Sequence, residues 1–117
     1  MSPKRASAAR ADAFTDAAPL FAALGDETRL RLVSLLSSGG PTSITQLTVG
    51  SDLTRQAITK HLHVLADAGL VRGSRDGRAS VWELEPRRLE AARRSLALIS
   101  KQWDDALGRL KTFVEGG

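Results

Sequence analysis

Apolar and polar positions recur with a helical period along most of the chain, and the interruptions mark its turns. The run from Ala17 to Leu24 is short and apolar and predicts a helix that Gly25 stops. Asp26 follows, and its carboxylate can accept a hydrogen bond from a free N–H at a helix start. Leu32, Val33, Leu35 and Leu36 then predict the buried face of a helix that Gly39-Gly40-Pro41 ends. Ser43-Ile44-Thr45-Gln46 has the form of a capping box, in which the serine hydroxyl takes an N–H and the glutamine reaches back. The helix it opens is short, because Gly50-Ser51-Asp52 interrupts it. Thr54 caps a second helix running to about Ala68, and Gly69 can take the left-handed conformation that closes it.

The period then changes. Leu70 to Ser74 and Ala79 to Leu84 predict two short strands joined through Arg75-Asp76-Gly77-Arg78, with Asp76-Gly77 as a favoured pair for a tight two-residue turn. Pro86 suits the first turn of a last helix, predicted to run to about Val114. In it Leu89, Ala92, Leu96, Ile99, Trp103, Ala106, Leu110 and Phe113 recur at alternating spacings of three and four, and Leu98, Leu107 and Val114 widen the seam. One small domain has little apolar surface left to cover so long a stripe. The seam therefore predicts a two-fold interface with a second copy of the chain, which the helix at 17–24 joins. The expected fold class is mostly α with a small β-hairpin. A winged helix-turn-helix occupies 14–85 and a long C-terminal dimerisation helix occupies 86–115. Residues 1–13 are small, polar and basic and predict a disordered tail.

Composition narrows the classes. A chain of 117 residues fits one domain. With 42% hydrophobic and only 4% aromatic residues, the core must be mostly Leu, Ala, Val and Ile, which favours packed helices over a sandwich or barrel. Cysteine is absent, which excludes disulfides, thiolate metal sites and cysteine nucleophiles. No apolar run is long enough for a membrane span, and no signal-peptide core stands at the start, so a cytoplasmic location is expected. No nucleophile elbow or pair of catalytic carboxylates is visible, so no enzyme is expected. Neither a cofactor nor a metal is expected: His61 and His63 lie two apart and do not share a side of a helix, and the adjacent Asp104 and Asp105 point different ways. The net charge of +4 is compatible with a polyanionic partner, but the excess is spread along the chain, so placement must carry the argument.

Placement is informative on the helix after Thr54. At the helical period Ile58, Leu62 and Leu65 fall within about 60° of one another, a narrow apolar stripe. The opposite face holds Gln56, Thr59, Lys60 and His63, with Arg55 in the first turn and only Asp67 negative, at the far end. Glutamine can pair with adenine, arginine and lysine with guanine, and threonine with phosphate or a thymine methyl. A short capped helix, a turn and then such a helix is the frame that presents side chains to a major groove of double-stranded DNA. Ser43 and Thr54, the two caps, join the candidate contacts. Arg75 and Arg78 flank the hairpin tip, where they can reach phosphates or the minor groove. His61 falls at the edge of the apolar stripe and is expected to be packed and hydrogen-bonded, whereas His63 points outward.

Several segments together resemble ArsR/SmtB-type repressors. Phe21-Ala-Ala-Leu-Gly-Asp-Glu-Thr-Arg29 is similar to their opening signature, and Leu53-Thr-Arg-Gln-Ala-Ile-Thr-Lys-His-Leu-His-Val-Leu65 to their recognition helix. Ala68-Gly-Leu-Val71, Gly77-Arg78 and Trp82-Glu-Leu84 resemble the helix end and wing, so the similarity spans about residues 18–115. It implies a homodimeric, operator-binding repressor of transcription. Departures stand at Asp52, where the family turn usually has Gly and a left-handed residue is expected, at Ser51, usually apolar, and at Glu85, where a better helix cap is commoner. Metal-sensing members use cysteine clusters or ligands on the last helix. This chain has no cysteine and no histidine on that helix, so the resemblance implies DNA binding without a metal effector. A small-molecule effector is not identified. The rival reading is a winged-helix protein-interaction module, whose recognition face would be acidic or apolar; here it is basic and polar.

Overall fold

The computed structural model describes residues 17–116, and the expected basic tail at 1–13 lies outside them. Helix α1 covers residues 17–24 of the described chain. It is followed by α2 (Glu27–Gly39), β1 (Thr42–Ser43), α3 (Ile44–Thr48), α4 (Arg55–Asp67), β2 (Val71–Asp76), β3 (Ala79–Leu84) and α5 (Pro86–Gly116). The strands form one antiparallel sheet in the order β1-β3-β2. Winged helix-turn-helix architecture with a long last helix is thus what the periodicity predicts, with one strand more than the expected hairpin. Two residues cannot show alternation, so β1 has no sequence signal of its own. It exists because Thr42 and Ser43 pair with Trp82 and Val81 on the open edge of β3.

The caps form as the side-chain chemistry requires. The Asp26 carboxylate accepts from the Arg29 N–H at 3.0 Å. At α3 the Ser43 hydroxyl accepts from the Gln46 N–H and the Gln46 side chain accepts from the Ser43 N–H, both at 3.2 Å. At α4 the Thr54 hydroxyl accepts from the Ala57 N–H at 3.1 Å. Two expectations about turns are corrected. Asp52 is not left-handed: no described non-glycine residue has positive φ, and Gly50, at φ 75°, makes the reversal two residues earlier. Ser51 then steadies the turn by accepting from the Leu53 N–H at 3.1 Å. At the hairpin, Asp76 faces Ala79 as the last ladder pair, so the two central residues are Gly77-Arg78 rather than Asp76-Gly77. Gly77 alone has positive φ, 64°, the pattern of a type II′ turn with glycine first.

The core is a column of leucines. Leu20, Leu32, Leu36, Leu47, Ile58, Leu62, Leu65 and Leu70 are all fully buried, and they come from α1, α2, α3, α4 and the turn after it. Trp82 is its one large ring. On α2 the buried stripe is narrower than expected. Leu32 and Leu36 point inward and Val33 is half-buried, but Leu35 is 38% exposed, because α4 and β3 cover only one side of the helix. The first turns of α5 pack on the same core. Ala92 and Ser95 are buried there, with Leu89 and Ala91 half-buried beside them.

Adjacent positions on α2 should therefore respond differently to truncation. Leu36→Ala is expected to lower unfolding free energy by about 2–5 kcal/mol, through lost burial and a residual cavity. Leu35→Ala is expected to stay within about 1 kcal/mol. Urea titrations of the two variants decide it, and equal losses would contradict the placement of Leu35.

Candidate nucleic-acid interface

Helix α4 is held by its back. Ile58, Leu62 and Leu65 have no exposed surface, which turns Gln56, Lys60 and His63 to solvent on the other side. Arg55, in the first turn, is exposed as well. Among the described residues the side chains of Arg55, Gln56 and Lys60 engage in no hydrogen bond or ion pair, so their donors are free for a ligand. Thr54 is exposed, and its hydroxyl hydrogen stays available after the cap is made. Two expected contacts are less free. Thr59 is half-buried and its hydroxyl donates to the Arg55 carbonyl at 2.8 Å, which leaves its methyl group and two acceptor lone pairs. Ser43 is half-buried and committed to Gln46.

The edge of the stripe carries a polar clamp. Arg29 donates from its Nε to the Ala23 carbonyl at the end of α1, and its Nη1 lies 3.3 Å from the His61 Nδ1 on α4. Arginine has donors only, so Nδ1 is the acceptor of that contact. The same nitrogen lies 3.7 Å from the Asp26 carboxylate. His61 is thus packed and hydrogen-bonded, as its position on the helix predicts. The Arg29 backbone N–H holds the Asp26 carboxyl below the usual aspartate value, with the Arg29 guanidinium charge adding to the effect.

The hairpin's three arginines are not equivalent. Arg72 is bonded to Glu83 at 2.8 Å and reaches Glu85 at 3.4 Å, contacts that hold its guanidinium charged and neutralise it locally. Arg75 and Arg78 are exposed at the tip, without an ion pair among the described residues. Trp82, legible in the sequence only as part of the wing resemblance, has a structural role beside α4. It is 7% exposed, faces Gly73 across the ladder, and meets His63 edge-on with ring centroids 5.6 Å apart. The signal was present as a glycine and a large aromatic that the hairpin sets opposite each other. A Cβ added at Gly73 would stand 3.1 Å from the indole.

On α5 the expected seam divides. Ala92 is buried in the chain's own core and Leu89 is half-buried against it. Ile99 is half-buried. Leu96, Trp103, Leu107, Leu110, Phe113 and Val114 are exposed, Trp103 by 65% and Phe113 by 81%.

Comparison with known proteins agrees with this geometry. A helix-turn-helix domain family matches residues 24–74. The uncharacterised HTH-type transcriptional regulator YuzN of Bacillus subtilis (strain 168) is 43% identical over 75 residues, covering 57% of this chain and 82% of that one. The arsenical resistance operon repressor of Escherichia coli (strain K12) is 36% identical over 67 residues, which span 57% of each chain. Among solved structures, an ArsR-like transcriptional regulator from Rhodococcus sp. RHA1 superposes with a TM-score of 0.67 at 33% identity, covering 86% of this chain and 93% of that one.

The Asp26 cap predicts an acid-sensitive element of stability. Its folded carboxyl titrates below the ordinary value of 3.8, so its contribution is present above that value and is lost as pH falls through the lower, folded one. Asp26→Asn keeps the capping oxygen but cannot titrate. Melting temperatures measured on acidification through this range should fall more steeply for wild type than for Asp26→Asn. Parallel curves would remove the carboxylate from the account.

Proposed function

The chain belongs to the ArsR-type helix-turn-helix transcriptional regulators, DNA-binding proteins, and we propose that it acts as a homodimeric repressor with α4 in the major groove of its operator. The observation that carries this reading is the free, basic and polar face of α4 opposite an apolar face with no exposed surface. In the proposed complex Gln56 and Arg55 contact base edges and Lys60 a phosphate. Thr59 lends its methyl to the groove, and Ser43 and Thr54 lie along the backbone. Arg75 and Arg78 extend the footprint from the wing. The wing region and the helix-turn-helix work as one reading domain, with α5 joining two of them. Acting on chromosomal DNA, the protein belongs in the cytoplasm. Among the described residues no helix is long and apolar enough to cross a membrane.

The exposed stripe of α5 supports dimerisation. A monomer would leave the stripe from Leu96 to Phe113 in water, whereas a two-fold pair covers it and sets two α4 helices about 34–36 Å apart, one helical turn of DNA. Joining two weak half-site contacts raises their effective concentration. The relative in Escherichia coli is named for arsenical resistance. Arsenite is captured by soft thiolate ligands, which this chain lacks entirely, so arsenite is not its effector.

Two experiments test these roles. Lys60→Ala should weaken binding to all duplexes alike and make the dependence of log affinity on log salt shallower by about one unit. Gln56→Ala should instead lower discrimination between duplexes, by about 1–3 kcal/mol for a bidentate base contact. Unchanged titrations for both variants would remove α4 from the groove. Separately, sedimentation should give a dimer mass for wild type. Trp103→Ala should weaken association by about 3–5 kcal/mol while leaving circular dichroism of the monomer intact. A tightly binding, folded monomer of the wild-type chain is the outcome that defeats the dimer.

A further inference from the structure

Trp82 stands where three parts of the proposed DNA-facing side meet. Its backbone pairs with Thr42 on one flank and Gly73 on the other. Thr42 leads directly into Ser43, the cap of α3, and Gly73 belongs to the wing. The indole lies against Gly73, where a Cβ would press on the ring at 3.1 Å, and His63 of α4 meets it edge-on at an interplanar angle of 87°. The indole Nε1 is buried without a hydrogen-bond partner, the one such side-chain atom among the described residues. An unpaired buried donor is unfavourable, and leucine or phenylalanine would fill a core without it. What the indole has beyond them is breadth: it underlies β2 and still touches α4. Beyond the Gly73–Trp82 pair the hairpin carries Arg75 and Arg78 outward with mostly exposed residues, a lever of about 10 Å.

From this arrangement we propose that His63 and Trp82 are positioning residues, whose edge-on contact sets the angle of the wing to α4 and so brings Arg75 and Arg78 onto DNA in register with the recognition helix. The inference rests on the reading of α4 and the wing as DNA-contacting surfaces. It assigns His63 to act through Trp82 and not on a base or phosphate. A small tilt at the ring is multiplied along the hairpin, so the contact governs the tip more than it governs the fold. Because His63 is itself exposed, it can be replaced without emptying the core.

The test is a double-mutant cycle on DNA affinity, using the full chain and the tightest-binding duplex selected from a random-sequence library. Arg75→Ala with Arg78→Ala should lower affinity about tenfold in the wild-type background and less than about threefold in the His63→Ala background, a coupling within the range seen for residues that share a partner. His63→Phe keeps an aromatic edge but no ring nitrogen, and should restore the full tenfold wing effect, with melting temperatures near wild type throughout. If His63→Phe binds no better than His63→Ala, the imidazole nitrogens touch DNA directly and the inference is overturned. It is overturned equally if the wing loss is the same in both backgrounds, or if His63→Ala changes nothing. A wing pair without effect in the wild-type background would instead overturn the wing's role in DNA binding, and this inference with it.

Discussion

Everything on the proposed reading face depends on one constraint, that α4 can be buried along one narrow stripe only. Ile58, Leu62 and Leu65 are wholly excluded from water against the leucines of α2 and α3. Rolling the helix by a single position would turn it about 100° and exchange a buried branched side chain for a polar one. At roughly 2–5 kcal/mol for each large side chain lost from the core, the packed orientation has no near competitor. The outward direction of Arg55, Gln56 and Lys60 is therefore a consequence of packing on the other side of the helix. It needs no partner to hold it, which leaves those donors free.

Polar interactions refine that placement. The Arg29 side chain spans the end of α1, and through His61 it reaches the middle of α4, while Asp26 closes the corner. These groups lie at the margin of the core and are partly wet, so their strength is far below that of the leucine column. Their geometry nevertheless ties α1 to α4 by one side chain. Charge is sorted in the same way on the hairpin. Glu83 and Glu85 neutralise Arg72 near the base, and what positive charge remains unpaired is at the tip.

The fold was legible where a residue type has one physical use. Asp26, Ser43 and Thr54 were readable as caps because their short side-chain oxygens reach backbone N–H groups, and Pro86 at the start of the last helix was equally direct. What escaped depends on neighbours in space. Strand β1 is made by the open edge of β3, and Leu35 is exposed because nothing described covers its side of α2. The hairpin turn slipped by one position because Asp76 takes the last ladder pair against its turn preference, and only the facing residue, Ala79, settles it. At the site, spacing gave the outward face of α4. It could not show that the Thr59 hydroxyl is turned back onto the Arg55 carbonyl, that Arg72 is neutralised, or that His63 leans on Trp82. Those depend on rotamers and on strand register.

The last helix shows how a periodic stripe can serve two purposes. A single heptad-like pattern runs from Leu89 to Phe113, yet Ala92 and Ser95 are buried within the chain and the large side chains beyond them are exposed. The change coincides with residue size. Small residues near the start let α5 approach its own domain closely, whereas Trp103, Leu110 and Phe113 project from a part of the helix that the domain does not reach. At 31 residues α5 is about 46 Å long, more than one small domain can flank. A sustained apolar stripe in water is unfavourable by about 25 cal/mol per Å² relative to a covered one. Pairing with a second, identical stripe removes that surface without a new binding partner and needs only the two-fold symmetry common to small oligomers. Because the first turns of α5 are fixed in the core, covering the distal turns in the proposed dimer would also fix the distance between two copies of α4. The spacing demanded by successive major grooves can thus be set by the same helix that anchors each reading domain.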